Sequence, residues 1–436
     1  MALNTNINLR NKSIYQVFVR QHSKTGDFKG LLTDLDRIKN MGFDIVYLLP
    51  FHPIGKISRK GSIGSPYSII DYYEIDENIG NLEDLILLKK EVNKRGMDLM
   101  MDIVFNHTSR DSYLVKHKPE WFYKNENGLF ANRVGDWSDI TDLDLNNLEV
   151  REYLIDVLKY WAKYVDGFRC DVAPLLPIDF WSDARVQVNK VNENILWLTE
   201  SVELSFIKYI RDLGFDASSD SQMYDVFDVC YDYDIFKYMD NYLDGSMPLN
   251  RWLTKIIEQE SIYPKNYVKL RSFENHDQAR IASKAKNKNQ LINLTAMQFF
   301  IKGMPMIYAG QEHQIKHRPD LFETDLIMWD EKNSIEDYIK TLNEIKKDLV
   351  FKDGIFNLEH ENEAVFSYLK DHTFMLGIFN LENSKSIKVP LKDGLYLNLI
   401  NNDMINIKNN LISDYLEPII IKTEVINKIW KHMLII

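Results

Sequence analysis

From Ile14 to Tyr308 the chain alternates short β-branched or aromatic runs with stretches whose apolar residues recur at helical spacing. Residues 15–19 form the first run. Leu31, Leu35 and Ile38 then mark a helix that should stop at Gly42, a residue suited to a left-handed cap. Residues 45–49 form the second run, followed by a helix opened by Asn81, with Asp84 three positions on, and closed by Gly96. The third run, 99–105, is almost continuously apolar, as expected of a strand covered on both faces. Further strands are expected at 165–169, 195–199, 268–272 and 305–308, with a weaker one near Phe215. Strand, loop and helix in regular succession predict a parallel sheet wrapped by helices, and eight strands close it as a (β/α)8 TIM barrel of the α/β class.

The pattern lapses twice. After Asn106 about forty residues hold Trp121, Phe122, Trp137 and several aspartates before helical spacing resumes near Glu149. This predicts a short inserted domain at 107–146, between barrel segments 1–106 and 147–348. Beyond residue 348 short alternating runs at 365–369, 374–379 and 419–422 predict a C-terminal antiparallel β-sandwich over 349–436.

Composition narrows the function classes. With 436 residues, 45% hydrophobic and 27% charged, the chain matches a globular protein with a large core. A formal charge of -11 disfavours nucleic acid and anionic membrane surfaces as partners. No run approaches the ~20 apolar residues a membrane span needs, and residues 1–13 show no leader pattern, so a cytoplasmic location is expected. Cys170 and Cys230 are the only cysteines, and no Cys/His cluster has metal-ligand spacing. The aromatic share of 12% also suits the flat faces of sugars, although core packing is the commoner role for any single aromatic.

Barrel enzymes carry their chemistry at the C-terminal ends of strands. Four such ends here bear charged or imidazole groups: Asp102, Asn106 and His107; Arg169 and Asp171; Glu200; and His276 with Asp277. Retaining glycosidases use two carboxyl groups about 5–5.5 Å apart, one as nucleophile and one as acid/base. Asp171 and Glu200, on neighbouring strands, suit those roles. Arg169, two positions before Asp171, faces the same side and would hold it ionised, although an ion pair bracing the barrel mouth would look the same. His107, His276 and Asp277 could bind sugar hydroxyls or serve structure. Asp102, inside an apolar strand, is expected to be a paired structural carboxylate. Tyr67 is either a sugar platform or a loop-packing ring.

The segments DIVFNHTS, GFRCDVAPL, WLTES and FENHDQAR, in this order, resemble the α-amylase family, glycoside hydrolase family 13. PYSIIDYYEID, DLDLNN and GMPMIYAGQE extend the likeness over about residues 14–312. The resemblance implies Asp171 as nucleophile, Glu200 as acid/base and Asp277 as transition-state stabiliser. It also implies Arg169, His107 and His276 around the first glucose subsite, with Tyr67 as its platform. The implied activity is retaining hydrolysis of α-linked glucans or malto-oligosaccharides. Transfer of the glycosyl unit to another sugar or to phosphate is the alternative, and a non-catalytic sugar- or partner-binding barrel is the remote one. The chain departs from the family at Ser65 and Pro66, where His-Gly is usual, and at Pro174 and Leu175, where Lys-His is often found. Its calcium loop is reduced to Lys24, Thr25, Gly26 and Asp27, too few oxygens for that metal. Asn106 matches a ligand of the family's other calcium, so no cofactor is required and calcium stays an option at that position.

Overall fold

The computed structural model describes residues 5–134 and 137–424. Eight parallel strands close into a barrel: β1 (Ile14–Val17), β2 (Ile45–Leu48), β3 (Asp98–Ile103), β4 (Gly167–Cys170), β5 (Leu196–Thr199), β6 (Val229–Tyr231), β7 (Lys269–Arg271) and β8 (Met304–Tyr308). The ring shuts where Ile14 of β1 pairs with Met306 of β8 on one side and Ile45 of β2 on the other. Side chains alternate as the pleat requires. Tyr47, Met100, Leu198, Tyr231 and Met306 fill the barrel interior, while Val46, Leu99, Phe168 and Trp197 face the helices.

The helices owe their ends to local chemistry. Asn81 accepts from the Asp84 N–H at 3.0 Å and forms a capping box for Leu82–Lys94. Asn147 caps Leu148–Trp161, which buries Val150, Leu154, Val157, Leu158 and Trp161 along one stripe.

Two expectations about strands are corrected. The first strand ends at Val17, because Phe18 is already the N-cap of a one-turn helix, Val19–His22. No strand forms at Phe215. That residue lies in a loop beyond the helix Leu204–Asp212, after Gly214 turns with φ +86°, and its ring packs against Tyr123 outside the barrel. The sixth strand is instead Val229–Tyr231, whose Cys230 pairs with Thr199 and Lys269.

After β3 the chain leaves the barrel. His107–Ser109 pairs antiparallel with Ile140–Asp142, which fastens the insertion over the C-terminal mouth. Beyond residue 354, β9 (Ile355–Leu358), β10 (Ala364–Lys370), β11 (Thr373–Phe379) and β12 (Ile419–Glu424) form an antiparallel sheet in that order. One face, with Phe366, Tyr368, Met375 and Phe379, joins the barrel core around Phe300. The other face, with Val365, Leu376 and Ile421, packs on Ile387, Ile407 and Ile412 from two short antiparallel ribbons. Burying each large apolar side chain contributes roughly 1.5–3 kcal/mol, so this sheet is held by packing on both faces.

Candidate active site

Arg169, fully buried near the end of β4, organises the mouth of the barrel. Its Nη1 donates to Asp102 Oδ1 at 2.8 Å, Asp102 Oδ2 at 3.0 Å and Asp171 Oδ1 at 2.8 Å. Its Nη2 lies 2.7 Å from Glu200 Oε1, an ion pair off the hydrogen-bond axis. One guanidinium thus touches three carboxyl groups from β3, β4 and the end of β5. The register explains the convergence: Asp102 pairs with Arg169, and the Asp171 and Glu200 N–H groups continue the ladder to Ile103 and Cys170 carbonyls at 2.8 and 3.0 Å.

Asp102 is the structural member. Tyr47 and Tyr67 hydroxyls donate to its Oδ2 at 2.6 and 3.0 Å, and no part of it is exposed. Glu200 is positioned by the Val172 N–H, which donates to its Oε2 at 2.9 Å. Val172 takes a left-handed backbone, φ +35°, a strained conformation that is rare for a β-branched residue.

Asp277 reaches the same space from the loop after β7. Asn275 Oδ1 accepts from the Asp277 and Gln278 N–H groups at 2.9 and 3.0 Å, and this turn presents the carboxylate. His276 Nε2 sits 3.0 Å from Asp277 Oδ2 and 2.6 Å from the Tyr67 hydroxyl, while its Nδ1 faces Gln16 Nε2 at 3.2 Å. The Tyr67 and His276 rings stack at 5.5 Å.

A cavity of about 290 Å³ collects these groups. Tyr67, His107, Asp171, Glu200 and Asp277 line it, whereas Arg169 and His276 stand behind the wall. A second space of about 480 Å³ shares Trp137, Val172 and Glu200 with the first and continues past Phe206, Tyr209 and Tyr233. Glu200 therefore stands between two halves of one cleft. Trp137, Lys60, Asp139 and Phe322 belong to the cavity wall although their local sequence carries no strand-end signal; their placement is set by loops.

Protonation follows from crowding. Burial pushes the Asp171 carboxyl well above the usual range, reinforced by Glu200 and opposed by Arg169. Burial also raises Glu200, with Arg169 opposing and Asp277 assisting. For Asp277 burial is outweighed by His276, Arg169 and Arg318, which hold it below the usual range. Burial pushes His107 down to about 4, so its imidazole is neutral.

The residues around Asn106 do not suit calcium. Its Oδ1 accepts from Arg133 Nη1 at 3.3 Å; the same guanidinium lies 3.6 Å from Asp142 Oδ2 and donates through Nη2 to the Leu143 carbonyl at 2.8 Å. Oxygens that would surround a cation thus already surround one, carried by a side chain. Asp27 is likewise committed, capping Phe28–Leu32 through the Gly30 N–H at 2.7 Å. Among the described residues no three His, Cys, Asp or Glu side chains cluster as metal ligands. Both cysteines are free and buried, and no helix among the described residues is long and apolar enough to cross a membrane.

A family model described as "Alpha amylase, catalytic domain" matches residues 14–137 and 114–388. The chain belongs to the α-amylase family. Within the α-amylase family, an α-amylase structure from Lactobacillus plantarum superposes with a TM-score of 0.92 at 40% identity, covering 96% of this chain and 100% of that one. A maltogenic α-amylase from Thermotoga neapolitana gives 0.85 at 32% identity, with 96% and 100% covered. Among curated sequences, Alpha-amylase 2 of Dictyoglomus thermophilum is 27% identical over 307 residues, 68% of this chain and 51% of its own. The chain spans about half the length of that α-amylase relative.

Proposed function

We propose that the protein is a retaining α-glycoside hydrolase acting on α-linked glucans or malto-oligosaccharides. The observation that carries the reading is the grip of Arg169 on Asp171 and Glu200, two carboxyl groups facing one cavity. Three carboxyl groups on one buried guanidinium leave excess negative charge, so Asp171 and Glu200 titrate together and hold a proton between them. Burial raises Asp171 further than Glu200, but the aligned hydrogen bond that Arg169 gives to Asp171 and withholds from Glu200 supports the shared proton on Glu200 once the two titrate as a pair. Asp171 is then the carboxylate that attacks the anomeric carbon, forming a glycosyl ester as the C–O bond to the leaving sugar breaks. Glu200 gives its proton to the departing oxygen, then takes one from the water that hydrolyses the ester. Asp277 binds hydroxyls of the sugar, and its charge favours the oxocarbenium-like transition state. Neutral His107 supplies an uncharged hydrogen-bonding partner in the same cavity.

The ring-lined half of the cleft beyond Glu200 favours a second reading, in which another sugar replaces water as acceptor. Phe206 and Tyr209 offer it apolar faces. A cytoplasmic setting belongs to the proposal too, supported by the relative named intracellular maltogenic amylase of Bacillus subtilis, 24% identical over 342 residues. Proton NMR of maltoheptaose digestion tests the hydrolase reading: the α-anomer should appear first, and starch and maltoheptaose left intact would reject it.

A further inference from the structure

The two halves of the cleft differ in size and in lining. If Asp171 attacks the anomeric carbon, the sugar that becomes attached lies on the Tyr67 and Asp277 side, in the smaller cavity. The leaving sugar lies beyond Glu200. In an α-glucan the attached sugar is on the non-reducing side of the broken bond, so the smaller cavity receives that side of the chain.

Three separate loops meet in the wall of this cavity. Lys60, from the loop after β2, places Nζ 3.3 Å from Asp139 Oδ1 of the insertion and 5.8 Å over the ring of Phe322, from the loop after β8. The loops are joined by main-chain bonds as well. The N–H groups of Ile63 and Gly64 donate to the Phe322 carbonyl at 3.0 and 3.2 Å, and the Ser62 N–H donates to Glu323 Oε1 at 2.9 Å. Arg20 Nη2 holds the Leu321 carbonyl at 2.7 Å, and Ser68 Oγ holds the Asp139 carbonyl at 3.0 Å. There is no slack: Gly61 has φ +62°, and a Cβ on it would lie 2.7 Å from Phe322 Cβ. The volume of about 290 Å³ is at the bottom of the range for ligand pockets, roughly 300–1,000 Å³.

We infer that the Lys60–Asp139–Phe322 wall makes this half of the cleft a dead end, so that the enzyme takes glucans by their non-reducing ends and releases short pieces. This rests on the hydrolase reading above. A chain cut internally would have to continue through the wall; here the chain must begin inside it. Lys60 is the specificity-determining residue, because its half-exposed side chain bridges the other two walls without supporting the core. Exclusion works by steric conflict and a misplaced ion pair, the repulsive kind of selectivity.

The experiment compares free maltoheptaose with maltoheptaose whose non-reducing terminal ring carries a 4,6-O-ethylidene cap, followed by chromatography of the products. The wild-type protein should cleave the free sugar and cleave the capped one at least about 100-fold more slowly. Lys60→Ala should narrow that gap by about 10-fold by opening the wall. Equal rates on both sugars by the wild type would overturn the inference while leaving the hydrolase reading intact. An unchanged gap in Lys60→Ala would overturn the role of Lys60. Failure to cleave either sugar would instead overturn the hydrolase reading.

Discussion

Arg169 donates to Asp171 at 2.8 Å from two positions earlier in the chain, at the end of the same strand. Period-two alternation puts both side chains on the inner side of the barrel mouth, and the bond orients the carboxylate and opposes the burial that favours its protonation. Replacing Arg169 by Lys keeps a charge but loses the fork that reaches Asp102, Asp171 and Glu200 together. Removing one partner of a buried ion pair typically costs about 3–5 kcal/mol. Arg169→Lys should therefore lose stability on that scale in urea unfolding and lose most of its turnover.

Glu200 gives a pH signature. Its folded carboxyl is raised by burial, so the native state binds this proton more tightly than the unfolded chain does. Stability associated with the group is complete below the ordinary glutamate value of about 4.3 and is lost as pH rises toward the folded value. Glu200→Gln, which cannot ionise, should have a higher Tm than wild type at pH 7, with the gap closing near pH 4. The same variant should fail on maltoheptaose and lose the alkaline limb of the wild-type kcat/KM profile, yet still react with an α-glucosyl fluoride, whose leaving group needs little acid assistance. An equal Tm gap at both pH values would contradict the raised carboxyl.

Arg133 stands among the oxygens of Asn106, Asp142 and Leu143. A chelator should leave the melting temperature of the wild type unchanged, and added calcium should not raise it. Arg133→Ala leaves buried oxygens without partners and should cost about 1–3 kcal/mol in chemical unfolding. A chelator-induced drop in Tm would show that a metal, rather than the guanidinium, holds the insertion to β3.

The barrel and the strand-end residues were legible because both follow from short-range periodicity. Asp171, Glu200 and Asp277 each end or follow a strand, and Asp102 turns out to be a paired, buried carboxylate, as an acid inside an apolar strand must be. The sixth strand was not legible: Val229–Tyr231 is three residues long and flanked by Asp228 and Asp232, whereas the apolar signal at Phe215 arises from packing with Tyr123. The wall of Lys60, Asp139 and Phe322 was equally hidden, since its members are brought together by loop contacts across some 260 positions. Arg133 gave no signal either, because a surface-type residue in a polar stretch reveals nothing about the oxygens that will surround it.

Mass spectrometry of the protein after incubation with 5-fluoro-α-glucosyl fluoride, which forms the ester quickly and releases it slowly, tests the role of Asp171 most directly. A single glycosyl adduct on the peptide 167–176, located at Asp171 and absent from Asp171→Asn, is expected, with that variant folding normally and losing at least about 10³-fold in turnover. An adduct on another residue, or Asp171→Asn hydrolysing maltoheptaose at the wild-type rate, would contradict it.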